Sequence, residues 1–321
     1  MGFLQDGVWM QDKAGWARAD GQFKRADSPL RNWVTPDGEA GPSGTGGFEA
    51  APGRYHLYVS LACPWAHRTL IMRRLKGLEP MISLSVVHWL MREDGWTFAD
   101  GPGVIPDPIL NARFLRDIYV ASNPKHNGRV TVPALWDKER RQIVSNESAD
   151  IIRMFGSAFD RVGAASGDFY PVPLRAEIDA VNARAYDTLN NGVYKAGFAT
   201  SQEAYEGAVG PLFDTLDWLE QRLSQQLHLC GPDLTEADIR LFTTLVRFDA
   251  VYVGHFKCNK KRLVDYPNLL AYLTRLAGHH AFAPTIDLFH IKHHYYQSHL
   301  TINPRAVVPL GPDRIFAEDP V

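Results

Sequence analysis

A cysteine followed directly by proline stands at the start of a predicted helix. The stretch SLACPWAHRTL places Cys63 after a short apolar run and immediately before Pro64. Proline suits the first position of a helix because its missing N–H needs no partner there, so Cys63 is predicted to be the N-cap. The open backbone N–H groups and the positive end of the helix dipole then favour the thiolate, which is the nucleophilic form of cysteine.

The surroundings of Cys63 favour chemistry with one thiol. Position 66, where a redox dithiol would have its second cysteine, is Ala66, and the other cysteines are Cys230 and Cys258. A dithiol resolves its own mixed disulfide, whereas a lone thiol needs a second thiol from outside. The alternative is a small buried cysteine at a strand end, but the strand–Cys–Pro–helix pattern favours a reactive residue.

Two further motifs suit the binding of a peptide-like ligand. In TVP, Val132 and Pro133 suit a cis-proline turn that offers the Val132 backbone to an extended peptide, although a trans proline opening a strand is common. In SNESAD, Ser148 can bind a carboxylate at a helix N-terminus, and Glu147 can pair with an ammonium group. The pair suits the α-amino-acid end of a ligand, with a simple helix cap as the alternative.

The elements that position these motifs alternate between strands and helices. The strand-like runs are RYHLYVSL, MISLSVVHW, VTVPALWD and RQIVS, and the helical runs are PWAHRTLIMRRLKG, NARFLRDIYVAS and ESADIIRMFGSAF. Their apolar periodicities support these assignments. The order βαβ–α–ββ–α is that of a thioredoxin-like domain, predicted over residues 51–165.

The chain changes character at about residue 172, where only helical patterns follow. The helical runs are LRAEIDAVNARAYDTLNNGVYKAGFA, SQEAYEGAVGPLFDTLDWLEQRLSQQ, TEADIRLFTTLVRFDAVYVGHF and YPNLLAYLTRLAGH. They predict an all-helical domain over residues 170–290, so the fold class is α/β plus all-α. Thr235 and Asp238 in LTEADI form a predicted capping box, which we interpret as a folding motif.

The two ends of the chain carry weaker patterns. Residues 1–50 are predicted to be an extension rich in Gly, Pro and Asp, and residues 291–321 a tail with little periodicity. The large aromatic residues of the extension, which are expected to pack on a core, are Trp9, Trp16, Phe23 and Trp33.

Composition limits the cellular setting. The chain has 321 residues, 45% of them hydrophobic, which suits about two domains. With 34 Lys+Arg against 36 Asp+Glu, it has no general attraction to nucleic acid or to anionic membranes. The odd number of distant cysteines indicates a reducing compartment. The sequence lacks a signal-peptide h-region and a membrane-spanning stretch, so we expect a cytoplasmic protein.

Taken together, these motifs resemble a known family. A thioredoxin-like domain with CPWAHR, VP and NES, followed by an all-helical domain, resembles a cytosolic glutathione transferase, and more narrowly the xi-class glutathionyl-hydroquinone reductases. The supporting stretches spread over most of the chain: ACPWAHR, RVTVPALWD, SNESADIIRMF, NNGVYKAGFA, RFDAVYVGHFKCN and HHYYQSHLTINP. The resemblance implies an enzyme that takes glutathione as co-substrate, removes it from glutathionyl-hydroquinones through a Cys–glutathione mixed disulfide, and forms a homodimer.

The resemblance also implies a role for each site residue. Cys63 would be the nucleophile. The tyrosines implied at the aromatic substrate are Tyr194, Tyr252 and one of Tyr295 or Tyr296. The residues implied at glutathione are Trp96, Arg129, Val132, Glu147 and Ser148.

Two other functions are compatible with the same motifs. An omega-like thioltransferase or dehydroascorbate reductase would use the same Cys63, and a glutathione-transferase-like binding module would need no nucleophile. The aromatic motifs of the second domain favour the hydroquinone reductase.

The histidines of FHIKHHYYQSH are His290, His293, His294 and His299. They have no acidic or cysteine ligand beside them, so we expect no metal site.

Overall fold

The computed structural model describes residues 2–11, 21–23, 25 and 27–317. These residues fall into two units. The first contains residues 2–11 and 27–168, and the second contains residues 21–23, 25 and 169–317. The predicted boundaries of the extension, the two domains and the tail stay predictions.

The first unit is built on a mixed sheet. Its strands are β1 (Gly2–Gln5), β2 (Val8–Gln11), β3 (Tyr55–Val59), β4 (Ile82–Val86), β5 (Ala134–Asp137) and β6 (Gln142–Ser145), and its helices are α1 (Pro64–Leu75), α2 (Leu115–Ser122) and α3 (Ser148–Ser157). The sheet order is β4–β3–β5–β6, with β3 parallel to β4 and the other neighbours antiparallel. This arrangement confirms the predicted thioredoxin-like order.

The central strand determines where α1 begins. Every residue of β3 is buried, as expected for a strand covered on both faces. Even His56 is buried there, with its ring nitrogens 2.7 Å from the Ser83 hydroxyl and 2.9 Å from the Ser85 hydroxyl. Burial lowers the pKa of His56 to about 4, so the ring is neutral at physiological pH. Because β3 and β4 are parallel, the chain crosses over through α1 and places its N-terminus just beyond β3.

The extension contains a hairpin that the sequence analysis did not assign. β1 pairs antiparallel with β2, and Gln5 lies opposite Val8. The two loop residues, Asp6 and Gly7, have φ angles of +47° and +77°. An Asp-Gly pair with positive φ is favoured in the tight turns that match strand twist. The sequence signal was therefore present in QDGV, but the abundant Gly and Pro of the whole segment concealed it.

The rest of the extension confirms the expectation that it packs on a core. Arg31 forms an antiparallel bridge with Ser145 of β6, and the Asn32 N–H donates to the Val144 carbonyl at 2.9 Å. These bonds lay the segment along the edge strand of the sheet, so its backbone groups find partners.

The aromatic residues of the extension belong to both units. In the first unit, the Trp33 indole donates to the Ser43 hydroxyl at 2.9 Å, and Trp9 lies in β2. In the second unit, Phe23 is 5% exposed and its ring stacks on another aromatic ring. Trp16 lies outside the described residues.

The regular elements of the second unit are helical within the described residues, which confirms the predicted all-helical fold. They are α4 (Arg175–Ala185), α5 (Gly192–Gly197), α6 (Gln202–Leu223), α7 (Glu236–Arg247), α8 (Pro267–Ala277) and α9 (Leu288–Ser298), with π-helical turns at Tyr186–Asn190 and Phe248–Tyr252. No helix in the described ranges is long and apolar enough to cross a membrane.

Helix α9 differs from the predicted tail, because it continues eight residues past residue 290, the expected end of the helical domain, to Ser298. The carboxylate of Asp287 accepts the His290 N–H at 2.7 Å and caps the helix. Ile291 and Tyr295, four residues apart, are both buried. A helix with this apolar face was readable from the sequence, but the dense run of histidines hid the pattern.

The predicted capping box at the start of α7 is confirmed. The Asp238 carboxylate, 0% exposed, accepts the Thr235 N–H at 2.9 Å. It also accepts the Leu229 N–H and the Tyr272 hydroxyl, each at 2.9 Å. One buried carboxylate therefore joins the start of α7 to α8 and to the preceding loop.

Candidate active site

Cys63 is the N-cap of α1, as predicted. Its backbone is extended, with φ −78° and ψ 122°, and Pro64 opens the helix. The Cys63 thiol donates to the Val132 carbonyl, with 3.5 Å between Sγ and O. The sulfur therefore lies at the positive end of a helix dipole and beside the turn that precedes β5.

The Val132–Pro133 peptide bond is cis, which confirms the predicted turn. Thr131, which precedes Val132, is held by α2, because the Tyr119 hydroxyl of that helix donates to the Thr131 carbonyl at 2.7 Å. The turn facing Cys63 is thus held by a hydrogen bond from α2.

The other cysteines have a different environment. All three cysteines lie in the described part of the chain, and Cys230 and Cys258 are each 0% exposed while Cys63 is partly exposed. Burial raises the pKa of Cys230 to about 11 and raises the pKa of Cys258 further. Both stay protonated and inaccessible at neutral pH, so Cys63 is the partly exposed thiol of the three, and its role as the nucleophile stays a prediction.

Glu147 and Ser148 begin α3 together. Glu147 is the N-cap, and its Oε1 accepts the Ala149 N–H at 2.9 Å. Its Oε2 accepts the Ser28 hydroxyl at 3.0 Å. The Ser148 hydroxyl accepts a hydrogen bond from Arg68 Nη1 at 3.4 Å. The helix cap considered as the alternative is therefore present, and a ligand role for these residues stays a prediction.

Arg68 and Ser28 are further contacts of the site, and the sequence analysis did not assign Ser28 to it. Arg68 is 2% exposed, and its guanidinium carbon lies 4.4 Å from the centre of the Trp65 ring. By reaching Ser148, Arg68 links α1, which carries the thiol, to the start of α3. Ser28 lies far from Glu147 in sequence, so no local pattern signals the contact.

Trp96 and Arg129 occupy two loops of the first unit. Trp96 is 7% exposed, and its carbonyl accepts the Leu115 N–H at 3.0 Å. Arg129 is half-buried and follows Gly128 in the segment that leads to Val132. Contact of either side chain with glutathione stays a prediction.

The second unit brings three of the predicted tyrosines together. The hydroxyl oxygen of Tyr295 lies 2.5 Å from that of Tyr194 and 3.1 Å from that of Tyr252. Tyr252 and Tyr295 are buried, and burial raises the pKa of both phenols well above the ordinary value. Tyr252 and Tyr295 therefore stay protonated at neutral pH, and the three hydroxyls form a hydrogen-bonded chain able to donate to an acceptor.

Tyr296 lies outside this hydroxyl chain. Its ring packs edge-to-face on His255, with 4.8 Å between ring centres. The sequence analysis left Tyr295 and Tyr296 as alternatives, and Tyr295 is the one that joins Tyr194 and Tyr252.

Models of two protein families match the chain. The glutathione S-transferase N-terminal domain matches residues 62–158, and the glutathione S-transferase C-terminal domain matches residues 202–275. Glutathionyl-hydroquinone reductase YqjG of Escherichia coli is 57% identical over 313 residues, which cover 97% of this chain and 95% of YqjG. The chain belongs to the glutathionyl-hydroquinone reductases, the xi class of glutathione transferases.

Other comparisons agree with membership in the xi class. Glutathionyl-hydroquinone reductase PcpF of Sphingobium chlorophenolicum is 55% identical, with coverage of 97% of this chain and 96% of PcpF. The glutathione-bound structure of YqjG superposes with a TM-score of 0.91 at 55% identity, covering 98% of this chain and 96% of that one. The xi glutathione S-transferase of Phanerochaete chrysosporium gives 0.88 at 50% identity, covering 94% and 96%.

In this xi-class chain, π-helical turns accompany the tyrosine chain. Tyr252 is the last residue of the turn Phe248–Tyr252, and Tyr194 lies in α5, just after the turn Tyr186–Asn190. Such turns insert a residue into a helix and often occur at functional sites. The sequence analysis missed them because one inserted residue hardly disturbs the helical period.

Arg25 is a further neighbour of the tyrosine chain that the sequence analysis missed. Its guanidinium carbon lies 5.0 Å from the centre of the Tyr194 ring, and its Nε donates to the Asn191 side chain at 2.8 Å. A cation over the ring is attracted to the π electrons. Because Arg25 lies in the extension, sequence spacing gives no sign of this contact.

Of the histidines in FHIKHHYYQSH, His299 pairs with a histidine from another segment, His255. The His255 Nε2 lies 3.1 Å from the His299 Nδ1, and both rings are buried. Burial lowers the pKa of His255 to about 4 and lowers that of His299 well below its ordinary value, so the pair is neutral at pH 7. Within the described residues, no three His, Cys, Asp or Glu side chains are arranged to hold a metal ion.

Proposed function

We propose that the chain is a glutathione-dependent reductase that removes glutathione from glutathionyl-hydroquinones. The observation that carries the proposal is Cys63, a partly exposed thiol at the N-cap of α1 beside the Val132–cis-Pro133 turn. It occurs in a chain 57% identical to a protein named glutathionyl-hydroquinone reductase.

The first step is attack of the Cys63 thiolate on the glutathione sulfur of the substrate. An S–S bond forms, the bond between sulfur and the ring carbon breaks, and the ring carbon keeps the electron pair. A proton then completes the free hydroquinone. Expulsion of an aryl carbon is difficult, but it becomes feasible when the ring first tautomerises to a keto form, so that an enolate leaves.

The second step restores the enzyme. A second glutathione, as its thiolate, attacks the glutathione sulfur of the mixed disulfide, and Cys63 leaves as a thiolate. The products are oxidised glutathione and the free enzyme. In total, the thioether sulfur of the substrate and the thiol sulfur of the second glutathione become one disulfide, while the ring carbon keeps the electron pair of its broken C–S bond and gains the proton of that thiol, so the balance closes without a metal.

The tyrosine chain is proposed to act on the ring oxygens. The hydroxyl of Tyr295 lies 2.5 Å from that of Tyr194 and 3.1 Å from that of Tyr252. Phenol donors can protonate a ring oxygen or stabilise the charge that develops on it as the enolate leaves. Tyr194, which is half-buried, is the member best able to reach a ligand.

Glutathione is proposed to bind across the thioredoxin-like unit. The Val132 backbone would pair with its cysteine residue in the manner of an added strand. The start of α3 offers the Ser148 hydroxyl and helix N–H groups to the γ-glutamyl carboxylate, and Glu147 offers negative charge to its ammonium group. Trp96 and Arg129 are proposed to line the same ligand.

Other properties are proposed on the family resemblance. The enzyme would form a homodimer in the cytoplasm, would not bind nucleic acid and would need no metal. The near-neutral composition supports the absence of a nucleic-acid partner. Light scattering coupled to size-exclusion chromatography at working concentration tests the dimer.

Intact mass spectrometry tests the reaction. The protein is incubated with glutathionyl-hydroquinone without added glutathione, beside Cys63→Ser and the buried-site control Cys230→Ser. We expect a gain of one glutathione and release of hydroquinone in the wild type and in Cys230→Ser, reversed by adding glutathione. Cys63→Ser should gain nothing.

The same experiment separates the alternatives. If the wild type gains no mass and releases no hydroquinone, the reductase proposal is wrong and a binding module is favoured. If an adduct forms from oxidised glutathione but not from glutathionyl-hydroquinone, the thioltransferase alternative replaces it.

A further inference from the structure

The hairpin of β1 and β2 contacts two loops of the first unit. One loop, residues 92–95, continues directly into Trp96, and the other, residues 124–128, continues directly into Arg129. Both of these residues are proposed to bind glutathione. The hairpin itself has no part in the reaction proposed above.

Strand β2 holds the first loop through Trp9. The Trp9 indole N–H donates to the Glu93 carbonyl at 2.9 Å. A Cβ added to Gly95 would lie 2.9 Å from the Trp9 ring, so the ring rests directly against the Gly95 backbone. Gly95 also has a φ of +72°, a conformation that other residues rarely adopt.

Arg116 of α2 holds the same loop from another direction. Its guanidinium carbon lies 5.1 Å from the centre of the Trp9 ring. Its Nη1 and Nη2 donate to Oδ1 of Asp94 at 3.2 Å and 3.1 Å. The loop before Trp96 is therefore fixed by an indole ring and by a guanidinium that contacts that ring.

Strand β1 holds the second loop through its backbone. The Leu4 N–H donates to the Gly128 carbonyl at 2.8 Å, and the Gly128 N–H donates to the Leu4 carbonyl at 2.9 Å. The Gly7 N–H donates to the His126 carbonyl at 3.0 Å. A Cβ on Gly7 would lie 1.9 Å from the Pro124 carbonyl oxygen, so only glycine permits this approach.

Arg129 lies between Gly128, which is bonded to β1, and Thr131, which is bonded to Tyr119 of α2. The Thr131 carbonyl accepts the Tyr119 hydroxyl at 2.7 Å, and the Thr131 N–H donates to the same hydroxyl oxygen at 3.3 Å. The backbone at Arg129 is thus tied to the hairpin on one side and to α2 on the other.

The two residues of the hairpin that contact the two loops are paired with each other across its strands. Leu4, which pairs with Gly128, lies directly opposite Trp9, which rests on Gly95. We propose that the hairpin is a positioning element that sets the separation of Trp96 and Arg129 and so determines the affinity for glutathione. This inference rests on the proposed function, because it takes Trp96 and Arg129 as glutathione-binding residues.

The test uses full-length Trp9→Ala and Trp9→Phe. Alanine removes both the ring and the hydrogen bond to Glu93, whereas phenylalanine keeps a ring against Gly95. Met10→Ala is the matched control, since Met10 is the next residue of β2 and is 41% exposed. Calorimetric titration gives the Kd for glutathione, and steady-state kinetics give KM for glutathione and kcat.

We expect a graded loss of glutathione affinity. The Kd and KM should rise about tenfold in Trp9→Ala and about threefold in Trp9→Phe, because misplacing binding groups by less than an ångström weakens several hydrogen bonds at once. The kcat at saturating glutathione should stay within about twofold, since the chemical step at Cys63 is untouched. Met10→Ala should match the wild type.

Hydrogen exchange distinguishes positioning from general stability. In Trp9→Ala, exchange should rise in peptides covering residues 92–97 and 124–131 and stay unchanged in β3 and β5. An unchanged Kd in both Trp9 variants would overturn the inference, as would a rise in exchange across the whole unit.

The inference and the proposed function fail separately. Wild type that binds glutathione but gains no mass from glutathionyl-hydroquinone would disprove the reductase function and leave the hairpin test decisive through Kd alone. Wild type that reacts normally while Trp9→Ala keeps its glutathione Kd would disprove the hairpin inference only. Wild type that binds no glutathione would disprove both.

Discussion

The hydroxyl oxygens of Tyr194 and Tyr295 lie 2.5 Å apart, and Tyr252 meets the same Tyr295 oxygen at 3.1 Å. Tyr295 is therefore the middle of the hydroxyl chain. Each phenol has one proton to donate, so the middle hydroxyl decides which neighbour has a free proton. A ligand that accepts from Tyr194 is connected through Tyr295 to the buried Tyr252.

We expect Tyr295→Phe to slow release of hydroquinone roughly 10–100-fold, because it removes the hydroxyl that contacts both Tyr194 and Tyr252 while keeping the ring. The measurement is a single turnover of glutathionyl-hydroquinone with enzyme in excess, followed by hydroquinone absorbance. Resolution of the Cys63 mixed disulfide by glutathione should proceed at the wild-type rate, since that step involves sulfur only.

Tyr296→Phe is the matched control for this experiment. Tyr296 is the adjacent residue of α9, and its ring packs on His255 rather than joining the chain. It should release hydroquinone within about threefold of the wild-type rate. Equal effects of the two variants would show that the hydroxyl chain has no special part in the reaction.

Alkylation at neutral pH should label one cysteine. Cys63 is partly exposed at a helix N-terminus, whereas Cys230 and Cys258 are fully buried and have raised pKa values. We expect iodoacetamide at pH 7 to modify Cys63 alone in the native protein and all three cysteines after unfolding. Peptide mass spectrometry reads the sites, and Cys63→Ser should remain unlabelled while native. Native labelling of Cys230 would contradict the burial that we describe.

Much of the fold was predictable because short-range patterns carry it. The strand-to-helix change around Cys63 and the Thr235–Asp238 capping box each depend on residues a few positions apart, and both were predicted correctly. The hairpin at Asp6–Gly7 and helix α9 were also encoded locally, but the Gly-rich extension and the histidine run masked them.

The site was predictable only in part, for a different reason. The contact between Cys63 and Val132 follows from the fold, because a thioredoxin-like sheet brings these turns together. The contacts of Ser28 with Glu147 and of Arg25 with Tyr194 join residues more than a hundred positions apart. Nothing in local spacing specifies such pairs, so only the folded chain reveals them.

Asp238 should be among the residues most important for stability in the second unit. Its buried carboxylate accepts from Thr235, Leu229 and Tyr272, so Asp238→Ala leaves three donors without their partner. We expect the free energy of unfolding to fall by about 3 kcal/mol or more. Thermal or urea unfolding measures the loss. Asp233→Ala, at an exposed site in the preceding loop, should change stability by less than about 0.5 kcal/mol.

The buried His255–His299 pair should make the second unit sensitive to acid. Burial lowers the pKa of His255 from 6.5 to about 4, with His294 and Lys257 acting in the same direction. Between these values the unfolded chain binds a proton at His255 that the folded chain does not bind, so the free energy of unfolding decreases as pH falls. Above pH 6.5 both states are neutral and the penalty is absent.

We therefore expect His255→Gln to lose less stability than the wild type between pH 7.5 and pH 5, by about 2 kcal/mol. Glutamine can still hydrogen-bond to His299 but does not titrate, so the difference in stability loss between the two proteins reports the proton that binds His255. His56, whose pKa is also about 4, is present in both proteins and cancels in the comparison. Exposed His280→Gln is the control and should follow the wild-type pH dependence. If His255→Gln and the wild type lose equal stability on acidification, His255 does not carry this acid sensitivity, and protonation elsewhere must account for any loss observed.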